Sequence, residues 1–202
     1  MKDKYFYIEF EIANSERFNC LKVMFDRLKK VNNDWMRSVY GEIDKNELDY
    51  ADPVDDFPWK NYLDNEAIEW FADTFDYETE EGKIYSQLWE LTHYQYRTHP
   101  FMMTPGNWDF ESMIDSIFHS EYDLIDLKKE EQNQGCLYYN PHGHPFGGSD
   151  SLCELIRSFG NTVIYDSWHE NENSRIISQW NYELAKKLVD KGIGFTPDFL
   201  EN

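Results

Sequence analysis

The sequence predicts an α+β fold, a βαββαβ plait in which an antiparallel sheet carries both helices on one face. Three stretches predict it. Residues 5–12 alternate apolar and polar side chains and run straight into a helical period. Residues 121–140 read as two strands around a polar loop, and residues 149–168 repeat the order helix then strand. Between the first helix and the second strand lie residues 34–118, read as a large acidic, mainly helical insertion. A single domain, 1–202, is expected. Its sheet core comes from 1–33 and 119–170, with the insertion between them and a C-terminal helix and tail over 171–202.

Phe6, Ile8, Phe10 and Ile12 point one way, and Tyr5, Tyr7, Glu9 and Glu11 the other. That period of two marks a strand with one buried face. Asn14-Ser15 supplies a helix cap. Phe18, Leu21, Phe25 and Leu28 then recur at spacings of three and four, with Met24 and Val31 alongside. They predict an amphipathic helix ending near Asn32-Asn33. Residues 34–64 mix prolines and acids without a sustained period, which predicts a long irregular connection with one short helical turn, pinned by Trp35, Trp59 and Tyr62. Residues 65–97 read as helical. Ile68, Trp70, Phe71 and Phe75 form one apolar face, and Ile84, Tyr85, Leu88 and Leu91 another. Pro100, Pro105 and Gly106 break the pattern. Asn107 or Asp109 opens a third helix with Phe110, Met113, Ile114, Ile117 and Phe118 inside.

Strand character returns at 121–129, EEQNQG reads as a hairpin loop, and GCLYYN as the partner strand. After PHGHPFGG a helix spans about 149–159, with Ser151 and Glu154 at capping-box spacing and Gly160 at the C′ position. The last strand is 162–168, with Val163 and Tyr165 on one face and Ile164 and Trp168 on the other. Residues 176–190 predict a C-terminal helix. His-Pro-Phe occurs at 99–101 and again at 144–146, read as similar turn chemistry. The whole order resembles the ferredoxin-like fold, a scaffold that hosts unrelated functions and assigns none.

The chain has 202 residues, 41% hydrophobic and 17% aromatic, enough for one sizeable core and too aromatic for a disordered chain. Cys20, Cys136 and Cys153 are an odd, widely spaced set without a C-x-x-C pair, which suits a reducing cytoplasm better than a disulfide framework. No apolar run is long enough to cross a bilayer, and the first residues do not read as a signal peptide. A cytoplasmic protein is therefore expected. No P-loop, dinucleotide fingerprint, H-E-x-x-H, nucleophile elbow or calcium loop is present, which counts against the common nucleotide, zinc-protease and hydrolase classes. No cofactor is expected.

The formal net charge is −20, unevenly spread. Residues 1–33 are slightly basic, whereas residues 34–82 set sixteen acids against Arg37, Lys45 and Lys60. Such a field repels nucleic acid and anionic membrane and attracts basic protein surfaces. Asp44, Glu47, Asp49, Asp52, Asp55 and Asp56 fall close together beside Tyr50 and Trp59. Carboxylates can stand in for phosphates and rings for bases, so these eight residues are the candidate partner-binding face. The expected partner is a basic protein, such as a nuclease or another nucleic-acid-binding protein. Small acidic inhibitors, such as immunity proteins against toxin nucleases and phage proteins that block host defence nucleases, are similar in charge and size. On this reading the protein is no enzyme but an inhibitor or immunity-type protein.

The alternative is a small enzyme, or a metal or anion-binding domain, at the glycine-rich loop 140–151. Its candidate ligands are His142, His144 and Ser149, in a loop leading into a helix N-terminus whose free N–H groups attract anions, with Asp166 and His169 from the end of the last strand. Cys136 with a distant histidine is a weaker nucleophile candidate. The plain reading of the same loop is turning and capping.

Overall fold

The sheet is built around β1 (Phe6–Glu11), which pairs antiparallel with β3 (Gln134–Pro141) on one side and β4 (Thr162–Asp166) on the other. β2 (Tyr122–Lys129) pairs antiparallel with β3 and completes the order β2-β3-β1-β4. In this computed structural model the described residues are 1–119, 122–131, 133–141, 149–169 and 177–200. They form a mixed α+β structure of one four-stranded antiparallel sheet and six α-helices. The chain divides into two compact units, Met1–Ala72 with Trp108–Ser174, and Asp73–Asn107 with Arg175–Asn202. The second unit begins after Ala72 and breaks off before Trp108, inside the stretch 34–118.

In the first unit the alternation of β1 holds: Ile8 and Phe10 are fully buried and Ile12 nearly so. β2 buries both Leu124 and Leu127, which a strict period of two cannot do. A register shift between Leu124 and Asp126 inserts Ile125 as an extra residue, and the Lys29 ammonium donates to its carbonyl at 2.5 Å. A second irregularity falls between Glu9 and Phe10 of β1. Glu9 opposes Tyr165 and Phe10 opposes Val163, so Ile164 is the extra residue of β4. Val163 and Tyr165 therefore lie on opposite faces, not on the shared face that alternation predicts.

α1 (Ser15–Val39) opens at Asn14, whose side chain accepts the N–H groups of Glu16 and Arg17. Leu21, Met24, Phe25 and Leu28 are fully buried along one stripe. The helix runs past Asn32-Asn33, where it was expected to stop. Asparagine is a mediocre helix former but tolerates αR, and Asn32 is itself buried in the stripe. The stop comes at Gly41, whose φ of 74° takes the left-handed turn after the cap residue Tyr40. The connection that follows holds two 3-10 turns, Lys45–Glu47 and Trp59–Tyr62, rather than one helical turn.

α2 (Asn65–Ala72) buries Ala67 and Phe71; Ile68, expected inside, is 46% exposed. α4 (Phe110–His119) opens at Asp109, whose carboxylate accepts the Ser112 N–H, and buries Phe110, Met113, Ile114 and Ile117 as expected. α5 (Asp150–Ser158) has Ser149, not Ser151, at its N-cap. The capping box is not formed, because Glu154 is buried and turned inward, accepting from the Trp70 indole N–H at 2.9 Å. Gly160, at φ 76°, does occupy the C′ position after the cap Phe159. These helices and the inner face of the sheet share one apolar core.

The second unit pairs α3 (Glu80–Leu91) with α6 (Tyr182–Asp190) around a smaller core of Leu88, Phe101, Met102, Ala185, Leu188 and Phe195. Phe101 and Phe195 stack at 4.3 Å between ring centroids, and Trp180 sits 5.7 Å from Phe101. The Trp180 indole N–H donates to Glu81 at 2.6 Å. Lys186 and Tyr182 both bond Glu80, which holds that carboxyl below its ordinary range. α6 begins later than the apolar pattern predicts, because Asn181 caps it through the Leu184 N–H; Ile177 is 82% exposed, and residue 176 lies outside the described residues. In the first His-Pro-Phe, His99 Nδ1 accepts the Phe101 N–H at 3.1 Å and starts a 3-10 turn over Pro100–Met102; the second copy lies outside the described residues.

Candidate functional site

The acidic connection is a folded loop, and its own side chains fold it. Asp44 caps the first 3-10 turn by accepting the Asn46 N–H at 2.9 Å. Asp52 accepts from the N–H groups of Val54 at 2.8 Å and Asp55 at 3.2 Å. Asp56 reaches back to the N–H groups of Ala51 and Asp52. These are Asx-type turns, in which a short carboxylate substitutes for a backbone acceptor.

Aromatic rings tie the loop to α1 and α4. Trp59 is 3% exposed, donates its indole N–H to the Pro53 carbonyl at 2.7 Å, and lies 5.7 Å from the Phe118 ring. Phe57 packs on Trp59 at 4.3 Å and meets Tyr50 edge-on at 5.6 Å. The Tyr50 hydroxyl donates to the Val31 carbonyl at 3.3 Å. Burial first, then the carboxylates of Asp34 and Asp49, push its phenol up to about 12. The Arg27 guanidinium sits over the Tyr62 ring at 5.1 Å and near Phe57. Thus Trp59 is turned inward as an anchor and Tyr50 is half-buried, while the six carboxylates are all exposed.

None of Asp44, Glu47, Asp49, Asp52, Asp55 and Asp56 is ion-paired with a described residue. Two of the cations in this stretch are committed elsewhere: Lys45 lies over the Trp35 ring at 4.4 Å, and Arg37 pairs with Glu42. The carboxylates of Asp44, Asp52 and Asp56 shape the turns, whereas those of Glu47, Asp49 and Asp55 accept no hydrogen bond from a described residue. The six therefore separate into three architectural carboxylates and three that serve only as exposed charge.

Of the alternative cluster, the structure brings together Ser149, Asp166 and His169; His142 and His144 lie outside the described residues. Ser149 and Asp166 are fully buried, and the Ser149 hydroxyl donates to the Asp166 carboxylate. The other Asp166 oxygen accepts the Trp168 N–H at 2.9 Å. His169 Nε2 lies 3.8 Å from Asp166 and 3.9 Å from Asp150. Asp150 was missed in the sequence; its place at the first turn of α5 gave it an ordinary helix-start role. The hydroxyl engages the carboxylate rather than the imidazole, so the three do not form the relay that activates a serine nucleophile. Among the described residues no group of three or more His, Cys, Asp or Glu side chains is arranged to hold a metal ion.

Cys136 is fully buried and burial pushes its thiol up to about 11, the reverse of what a nucleophile needs. Cys20, Cys136 and Cys153 are all thiols, and no disulfide joins them. No described helix is long and apolar enough to cross a membrane. The chain matches no protein-family model, no curated protein and no solved structure.

Proposed function

We propose that this is a non-enzymatic, cytoplasmic interaction protein that occludes the basic surface of a nucleic-acid-processing partner, in the manner of an inhibitor, immunity or anti-defence protein. The observation that carries the reading is the loop of residues 44–59. Six exposed carboxylates, without ion-pair partners among the described residues, stand on a backbone held by the buried Trp59 and the half-buried Tyr50 and Phe57. A pre-shaped array of unpaired charge meets a cationic groove without first ordering itself, and ordering is a main cost of association. The three thiols agree with a reducing compartment. We further propose that β1, α1, β2, β3, α5 and β4 form a ferredoxin-like plait into which residues 34–118 are inserted. The strand order β2-β3-β1-β4, with every neighbouring pair antiparallel, supports it.

The test is affinity capture from the source organism, followed by competition with DNA or RNA for the captured protein. A basic partner displaced by nucleic acid supports occlusion; a partner bound equally well with its nucleic acid in place removes it. The convergence of Ser149, Asp166 and His169 favours a second reading, a small ligand or catalytic site at the start of α5. Thermal scans of wild type and His169→Ala with zinc, magnesium or phosphate decide it. A ligand-dependent rise in Tm that the variant loses supports a site, and no shift in either protein removes it.

A further inference from the structure

We draw no further inference here: the strongest candidate, the groove of about 1020 Å3 along the second half of α1, is lined by Lys29, Lys30 and Arg37 against Asp26, Asp34 and Asp123, so its charges balance and nothing in the structure shows what covers it.

Discussion

Arg17 grips Asp64 across 47 residues of chain, with Nε at 3.0 Å from one carboxylate oxygen and Nη2 at 3.3 Å from the other. The same guanidinium donates to Glu66 at 2.7 Å and to the Ser158 carbonyl at 2.7 Å. One side chain on the first turn of α1 thus ties the start of α2 to the last turn of α5. It also closes the acidic connection at its far end. The fork geometry of arginine suits this, since it satisfies several acceptors from one rigid plane.

Replacing Arg17 with alanine strands the Asp64 carboxylate and the Ser158 carbonyl in a part-buried site, while the exposed Glu66 returns to water, and we expect a loss of about 2–3 kcal/mol in unfolding free energy. Gly160→Ala tests the same place. Its φ of 76° disfavours any side chain, and the new Cβ would lie 2.4 Å from Arg17 Nη1. The expected loss is about 1–2 kcal/mol. Because the two changes disturb one contact, the double variant should be less destabilised than the sum in urea unfolding.

Anchor and charge should separate cleanly. Trp59→Ala removes a buried ring from the core, with an expected cost of about 3–5 kcal/mol. Asp55→Lys changes an exposed carboxylate that accepts no hydrogen bond from a described residue, and stability should stay within about 0.5 kcal/mol. Comparable losses in the two denaturation midpoints would mean that the loop is not held as described.

Glu154 is 2% exposed and accepts the Trp70 indole N–H. Glu154→Ala leaves that donor without its acceptor, and the expected loss is about 1.5–3 kcal/mol. An exposed capping-box glutamate would cost about 0.3–1 kcal/mol, so the size of the loss distinguishes the two placements.

The loop should also respond to alkali. Tyr50 is raised from about 10 to about 12 by burial, and Tyr85 reaches about 12 for the same reason, its hydroxyl bonded to the Met102 carbonyl at 2.9 Å. A folded-state value above the unfolded one means that each neutral phenol contributes stability fully below pH 10 and loses it as the pH rises through 12. In spectrophotometric titration, the absorbance step missing from Tyr50→Phe should fall near pH 12. A missing step near pH 10 would place the ring in water.

What the sequence revealed and what it hid divide along physical lines. β1, the hairpin and the Gly160 stop were readable because period, polar loop and left-handed glycine are local signals. The bulges at Ile125 and Ile164 were not, since an extra residue in a strand is an ordinary apolar side chain until its partner strand is placed. The end of α1 was misplaced because two asparagines looked like a stop and Gly41 was the real one. Glu154 had capping-box spacing but was claimed by Trp70, 84 residues away. The acidic face was readable as charge. Its division into turn-shaping and unbonded carboxylates, and the inward turn of Trp59, needed coordinates.

The occlusion account is tested most directly by the association rate of the captured partner with wild type and with the triple variant Glu47→Lys, Asp49→Lys, Asp55→Lys, measured by stopped flow across salt concentration. These three carboxylates shape no turn, so the variant should fold as wild type does. The account predicts that the wild-type rate falls at least about tenfold between low and high salt, and that the variant associates slowly at every salt concentration. A variant that binds as fast as wild type, with the same salt dependence, would contradict it.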